Sequence, residues 1–278
     1  AIKEAFYRDL TFGTGGLRGI LGAGTARMNV YTVAKASQGL AGYIKSSPLA
    51  EATGRTAANG TAAVPEATPA GARPAGTFSA PTIAISYDPR INSRLFAQVA
   101  AGVFAANGLS SAIYPQLMPT PCLSFAVRQL GCAAGVMVTA SHNPAKYNGY
   151  KVYASDGCQI TTEAAAAIQA EIQKLDLFAD IRWIPFEEGI QSGQIRYIPE
   201  EVYTAFIEEV KKQSLLEDGL PVCKDISIVY SPLNGTGLNP VLRVLRESGY
   251  SSVTVVKEQA QPDGSFPTCP YPNPEEKE

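Results

Sequence analysis

Residues 82–108 read TIAISYDPRINSRLFAQVAAGVFAANG, and this stretch decides the fold. Residues 82–87 (TIAISY) form a short apolar run of strand length, and Asp88-Pro89-Arg90 marks a loop behind it. Residues 94–107 (RLFAQVAAGVFAAN) then keep apolar groups at helical spacing, and Gly108 supplies a stop. Downstream, 110–114 (SSAIY) reads as a second strand. Pro119-Thr120-Pro121 leads into a helix at 122–130, and 134–139 (AGVMVT) is a third strand that enters a loop at Ala140. Strand, helix, strand in repetition implies a parallel sheet built by crossovers. The class is therefore α/β, with mixed or parallel sheets and flanking helices.

Working outward, 150–153 (YKVY) reads as a short strand, Asp156-Gly157 as a turn, and 162–175 and 30–46 as helices. Between them, 50–80 is Ala, Thr, Pro and Gly with few charges, the composition of a flexible surface insertion. A linker is expected over about 180–200. A second block follows, with a helix at 200–214 opened by Pro199, strands at 226–230 and 252–256, and a helix at 238–247. The expected domains are 1–190 and 195–278. The second ends just after a strand with no closing helix, which reads as an incomplete domain in a shortened chain.

The 278 residues are 45% hydrophobic and 17% charged, so a large core is available and global disorder is excluded. A net charge of −2 provides no basic surface for nucleic acid or an anionic membrane. No apolar run approaches the ~20 residues of a membrane span. The opening AIKEAFYRDL resembles neither a signal peptide nor a transit segment, and the five cysteines are an odd number without a CxxC pair. These features point to the cytoplasm. A single histidine, His142, argues against a Cys/His zinc site, and its adjacency to Ser141 is poor geometry for a Ser-His-Asp triad.

Residues 12–19 (FGTGGLRG) combine four glycines with Arg18, a forked donor suited to phosphate. The spacing fits neither a dinucleotide fingerprint nor a Walker A loop, and a glycine-rich turn with a solvated arginine is the plain alternative. Residues 138–151 (VTASHNPAKYNGYK) lie at the carboxyl end of a strand, where open α/β sheets place their sites. There Ser141 offers a hydroxyl, His142 an imidazole and Lys151 an ammonium. Pro144 and Asn148-Gly149 are read as turns that return Lys151 to the serine. Together these groups suit phosphoryl transfer. Asp88 with Arg90 and Arg94 is either a cation-orienting, phosphate-serving group or a charge cluster at a helix start. The loop at 231–237 (SPLNGTG) is either an anion nest or a tight turn.

These motifs carry a family resemblance. Thr11–Gly19, Tyr87-Asp-Pro-Arg90 with Ser93, and Thr139-Ala-Ser-His-Asn-Pro144 with Tyr147–Lys151 resemble the α-D-phosphohexomutase family, the phosphoglucomutases, phosphomannomutases and relatives. Residues 24–29, 258–267 and 272–275 resemble its branch of bacterial phosphoglucomutases and phosphopentomutases. The resemblance implies the N-terminal part of a four-domain enzyme: domain 1 with the phosphoserine loop, and a domain 2 that stops before the metal loop. It implies that Ser141 is phosphorylated, exchanges its phosphoryl group with a sugar monophosphate through a bound 1,6-bisphosphate, and ligates Mg²⁺ through that group. Glucose 1,6-bisphosphate would be the activator. Arg18, Lys151 and His142 would act at the transferring group, and Arg18, Arg90, Asn143 and Asn148 would contact phosphate. The family's aspartate-rich metal loop, sugar loop and distal phosphate grip are missing from these residues, so the chain alone is expected to be inactive. Which sugar phosphate is preferred (glucose, mannose or a pentose) stays open, as does oligomeric state. A non-catalytic sugar-phosphate binder and an unrelated nucleotide-binding protein are the competing readings.

Overall fold

The alternation of short apolar strands with amphipathic helices produces a six-stranded mixed sheet, seen in a computed structural model that describes residues 2–13, 15–46, 80–215, 222–270, 273 and 275. Nearly all of the expected insertion at 50–80 lies outside the described residues. A short helix α1 (Ile2–Phe6) precedes strand β1 (Gly16–Ile20) and helix α2 (Val30–Ser46). Strand β2 (Thr82–Tyr87), helix α3 (Ser93–Ala106), strand β3 (Ser110–Ile113), helix α4 (Thr120–Gln129) and strand β4 (Ala134–Val138) follow the sequence pattern closely. Strand β5 (Tyr147–Tyr153), helices α5 (Thr162–Gln173) and α6 (Phe186–Gln191), and strand β6 (Ile195–Tyr197) complete the first unit. The sheet order is β1-β5-β4-β2-β3-β6. Strands β2, β3, β4 and β6 run parallel, whereas β5 is antiparallel to both β4 and β1.

Three expectations are corrected here. Asn148 and Gly149 are not a turn but lie inside β5, paired with Gly19 and Arg18, so the reversal is confined to 141–146. Residues 16–19 of the glycine-rich stretch lie in strand β1 rather than in a turn. Gly16, at φ 112°, passes so close to the Tyr150 carbonyl that a side chain there would collide with it. Finally, the expected linker over 180–200 contains α6 and β6, and β6 is the last strand of the first sheet. The first structural unit therefore extends past 190.

Helix α2 begins where Asn29 caps it. Asn29 Oδ1 accepts from the backbone N–H of Tyr31 and of Thr32, each at 3.0 Å, and Thr32 Oγ1 accepts the Asn29 N–H at 3.1 Å. Its apolar face (Val33, Leu40, Ala41, Ile44) packs with α3 and α5 on the sheet face formed by Ile83, Ile85, Val136, Val138, Tyr150 and Val152. Each large side chain buried there is worth roughly 1.5–3 kcal/mol. The opposite face carries α4 and helix α7 (Glu200–Lys212), with Tyr114, Cys122, Val202 and Ile207 in the seam. Burial pushes the Cys122 and Cys132 thiols up to about 12, the state of inert core cysteines. Strands β7 (Ile228–Tyr230) and β8 (Val253–Val255) pair in parallel around helix α8 (Leu238–Glu247), followed by a short helix α9 (Lys257–Ala260).

Tyr150 sits fully inside, and its hydroxyl is joined to Ser37 Oγ at 3.0 Å across the sheet–α2 boundary. Ser37→Ala should therefore strand a buried phenol and cost about 1–3 kcal/mol in urea unfolding. Tyr150→Phe should cost less, because a helical serine can turn its hydroxyl to its own helix backbone. Equal losses in the two variants would contradict this account.

Candidate functional site

The parallel register aligns Tyr87 with Val138, so the loops leaving β2 and β4 emerge side by side at the carboxyl edge of the sheet. Asp88 N–H donates to the Val138 carbonyl at 3.1 Å and fastens the two together. The second loop carries Ser141, exposed and at φ 57°, a left-handed conformation uncommon for serine. Its neighbours enforce that turn. Ser141 N–H donates to Thr139 Oγ1 at 2.9 Å, and Thr139 Oγ1 donates to Asp88 Oδ2 at 2.6 Å. Asn143 N–H and its side-chain amide both donate to the Ala140 carbonyl, at 3.1 and 2.7 Å.

Arg90 supports this loop from beneath. Its Nη1 donates to the carbonyls of Pro144 and Tyr147 at 3.1 and 3.2 Å, and its Nη2 donates to those of Ser141 and Asn143 at 2.8 and 2.6 Å. Its Nε forms an ion pair at 3.3 Å with Asp88 Oδ2. Asp88 Oδ1 also accepts from Ser93 Oγ at 2.8 Å and from the Arg90 backbone N–H at 3.0 Å. Desolvation dominates both partners: burial raises the Asp88 pKa, against its hydrogen bonds, and lowers that of Arg90.

The sheet face beside the loop presents two cations. Arg18 on β1 is opposite Gly149, and Lys151 on β5 is opposite Gly16, so pleat alternation points both to the same side. Arg18 is exposed and Lys151 half-buried. Lys151 is held below the usual lysine range, first by burial and then by the Arg18 guanidinium, with Asp88 opposing. The exposed rim also brings His142 Nδ1 within 3.3 Å of Ser141 Oγ. Adjacency in sequence thus does not prevent that contact.

The sequence candidates therefore separate. Ser141, His142, Arg18 and Lys151 lie at or beside the loop with surface to offer. Arg90, expected to contact phosphate, is instead 2% exposed with its fork directed at four carbonyls. Asn148, also expected there, is fully buried and donates to the Ile91 carbonyl at 3.0 Å and Ser93 Oγ at 2.9 Å. Asn143 directs its amide nitrogen within the loop. Thr139, the link from Asp88 to the Ser141 amide, was missed as a functional position; its signal was the acidic residue closing the neighbouring strand. The 231–237 loop is a tight turn, since the N–H groups of Leu233, Asn234 and Gly235 are taken by Ser231 Oγ, the Gln259 carbonyl and the Pro232 carbonyl. Among the described residues no group of three or more His, Cys, Asp or Glu could hold a metal ion. No described helix is long and apolar enough to cross a membrane.

The chain matches the family model for phosphoglucomutase/phosphomannomutase alpha/beta/alpha domain I over residues 54–178 and that for domain II over 202–278. It is 35% identical over 275 residues to a phosphoglucomutase of Staphylococcus saprophyticus, and 32% identical over 274 residues to one of Staphylococcus aureus. Each alignment covers 99% of this chain but only 44% and 43% of the relative, so the chain spans less than half their length. Two solved structures share the fold. A candidate phosphomannomutase from Thermus thermophilus has a TM-score of 0.66 at 22% identity, covering 93% of this chain and 48% of that one. The phosphoglucomutase parafusin of Paramecium has a TM-score of 0.59 at 15% identity, covering 93% and 45%.

Thr139 is the hinge of this geometry, because one hydroxyl both donates to Asp88 and accepts from Ser141. Thr139→Val should cost about 1–3 kcal/mol in urea unfolding. It should also speed amide exchange at Ser141 more than in α5, and uniform acceleration across both would argue against a local role.

Proposed function

Because the chain belongs to the phosphoglucomutase/phosphomannomutase family, we propose that Ser141 carries a phosphoryl group and exchanges it with a sugar monophosphate. The reaction interconverts 1- and 6-phosphates through a bound 1,6-bisphosphate. The observation that supports this most is an exposed serine in a left-handed turn, secured from below by Arg90 and flanked on one sheet face by Arg18 and Lys151. A serine hydroxyl is a weak nucleophile at its ordinary pKa, but a phosphoserine is a competent donor once held in line.

Chemical roles follow from placement. The sugar hydroxyl oxygen forms the new bond to phosphorus as the bond from Ser141 Oγ breaks. Its proton passes to Lys151, whose lowered pKa enlarges the neutral fraction able to accept it. Ser141 Oγ takes a proton from solvent, relayed through the exposed His142 ring, whose Nδ1 stands 3.3 Å away, and Lys151 later returns the sugar's proton to solvent. Arg18 presents a planar fork to the charge that develops on the phosphoryl oxygens. The family implies a metal-dependent enzyme; we assign Mg²⁺ as the ion and glucose 1,6-bisphosphate as the activator. Glucose phosphate is the favoured substrate through the phosphoglucomutase relatives, and the reading assigns the reaction to the cytoplasm.

Two experiments on the whole protein test the reading. After incubation with glucose 1,6-bisphosphate and Mg²⁺, intact-mass analysis should show one phosphate, mapped to Ser141. Ser141→Ala should show none and lose nearly all mutase turnover, while sugar-phosphate binding survives. Turnover near that of the parent in the Ser141→Ala protein would refute the assignment.

The pH profile supplies a second check. Below the depressed pKa of Lys151, the transfer rate at saturating substrate should rise with pH as the neutral amine accumulates. Arg18→Ala removes a like charge and therefore raises the Lys151 pKa. The rising limb should move to higher pH, and a limb that stays in place would exclude Lys151 as the proton acceptor.

A further inference from the structure

The segment after α9 leaves the second block and docks on the loop that follows β2. Phe266 is 5% exposed, and its ring covers the Arg90 guanidinium with 4.9 Å between the guanidinium carbon and the ring centroid. Gly264 lies so close to the Pro89 carbonyl and to the Arg90 and Ile91 backbone that any side chain would collide. Phe266 itself holds φ 49°, uncommon for an aromatic residue. The segment is anchored at its root by Asn234, which is 3% exposed. Asn234 Nδ2 donates to the Gln261 carbonyl at 2.9 Å, Thr268 Oγ1 donates to Asn234 Oδ1 at 3.0 Å, and Asp263 N–H donates to the Asn234 carbonyl at 3.0 Å.

We propose that Phe266 is a positioning residue for the Ser141 loop: by covering Arg90 it fixes the guanidinium whose donors set the Ser141, Asn143, Pro144 and Tyr147 carbonyls. Two features make this more than a packing contact. The ring excludes water from a guanidinium whose side chain has no exposed surface, so the carbonyls have no competing donor. The π face also attracts the cation, which holds the fork in one plane. Ser141 and Phe266 therefore sit at opposite ends of one contact chain, through Arg90, that joins the second block to the serine. The proposal deepens the phosphoryl-transfer reading and rests on it for its catalytic consequence, but its structural core is independent of activity.

The experiment is hydrogen exchange on the 278-residue chain, comparing the parent with Phe266→Ala, Phe266→Leu, Phe266→Tyr and Gly264→Ala. Amides of 139–147 should exchange about tenfold faster in Phe266→Ala and in Gly264→Ala, which pushes the segment off. Phe266→Leu, which keeps apolar cover without a π face, should fall between. Phe266→Tyr should restore protection to within about twofold. Protection of β7 and β8 serves as the control that the second block remains folded. Unchanged protection of 139–147 in Phe266→Ala, with 262–268 itself deprotected, would overturn the proposal. So would equal deprotection in the Tyr and Ala variants. In the whole protein, Phe266→Leu should lower kcat for sugar-phosphate conversion with little change in KM, because alignment rather than affinity is disturbed. A change in KM alone would count against positioning. If the parent neither takes up phosphate nor turns over while the exchange pattern holds, the functional reading fails and the positioning role stands.

Discussion

The pairing of Asp88 with Arg90 is the constraint on which the serine loop depends. Burial works against the charge of both groups, so the pair is a poor source of stability in itself. What it provides is shape. A turn exposing Ser141 must leave several backbone carbonyls pointing inward, and buried carbonyls need donors. One planar fork supplies four hydrogen bonds from a single side chain, which an ammonium with three donors cannot reproduce. Asp88 then holds the fork while also receiving Thr139, so the same carboxylate determines both the underside of the loop and the amide of its serine.

Topology makes this pairing possible. Strand β2 is flanked by two parallel neighbours, β3 and β4, reached by crossover helices on opposite faces of the sheet. The ends of β2 and β4 therefore open beside each other without either connection covering them. The antiparallel return of β5 brings Lys151 and, through β1, Arg18 onto the face beside that opening. The sheet thus collects groups from residues 18, 88, 141 and 151 without any of them sharing a helix.

The legible parts of the sequence were those with a strong local period. TIAISY and AGVMVT announce buried strands, and RLFAQVAAGVFAAN announces a helix, because side-chain burial repeats at two or about 3.6 residues. Ser141, His142, Lys151 and Arg18 stood out because polar groups beside a strand end lack a packing explanation. Strand β1 was not legible: GLRGI carries two glycines, and only pairing with β5 holds it extended. Asn148-Gly149 carries a turn signal, but burial of Asn148 and its bonds to Ile91 and Ser93 override it. Strand β6 has three residues, too few for a period, and is defined by its pairing with β3. The docking of Phe266 on Arg90 joins positions far apart in the chain, which no local pattern encodes.

Charge neutralisation below the loop also determines what the opening presents above it. Arg90 and Asp88 offset each other in the interior, so the field at the rim is set by groups that remain unneutralised there. Arg18 and Lys151 are like charges on one sheet face, and their repulsion adds to burial in lowering the Lys151 pKa. A dianionic phosphate between them would convert the repulsion into attraction, which gives it an advantage over a neutral sugar entering the same space. On the phosphoryl-transfer reading, phosphate is held by Arg18 and by the ammonium form of Lys151, both placed by strand pairing, while only the neutral amine of Lys151 accepts the sugar proton, beside a serine whose backbone is set by a third cation that faces inward.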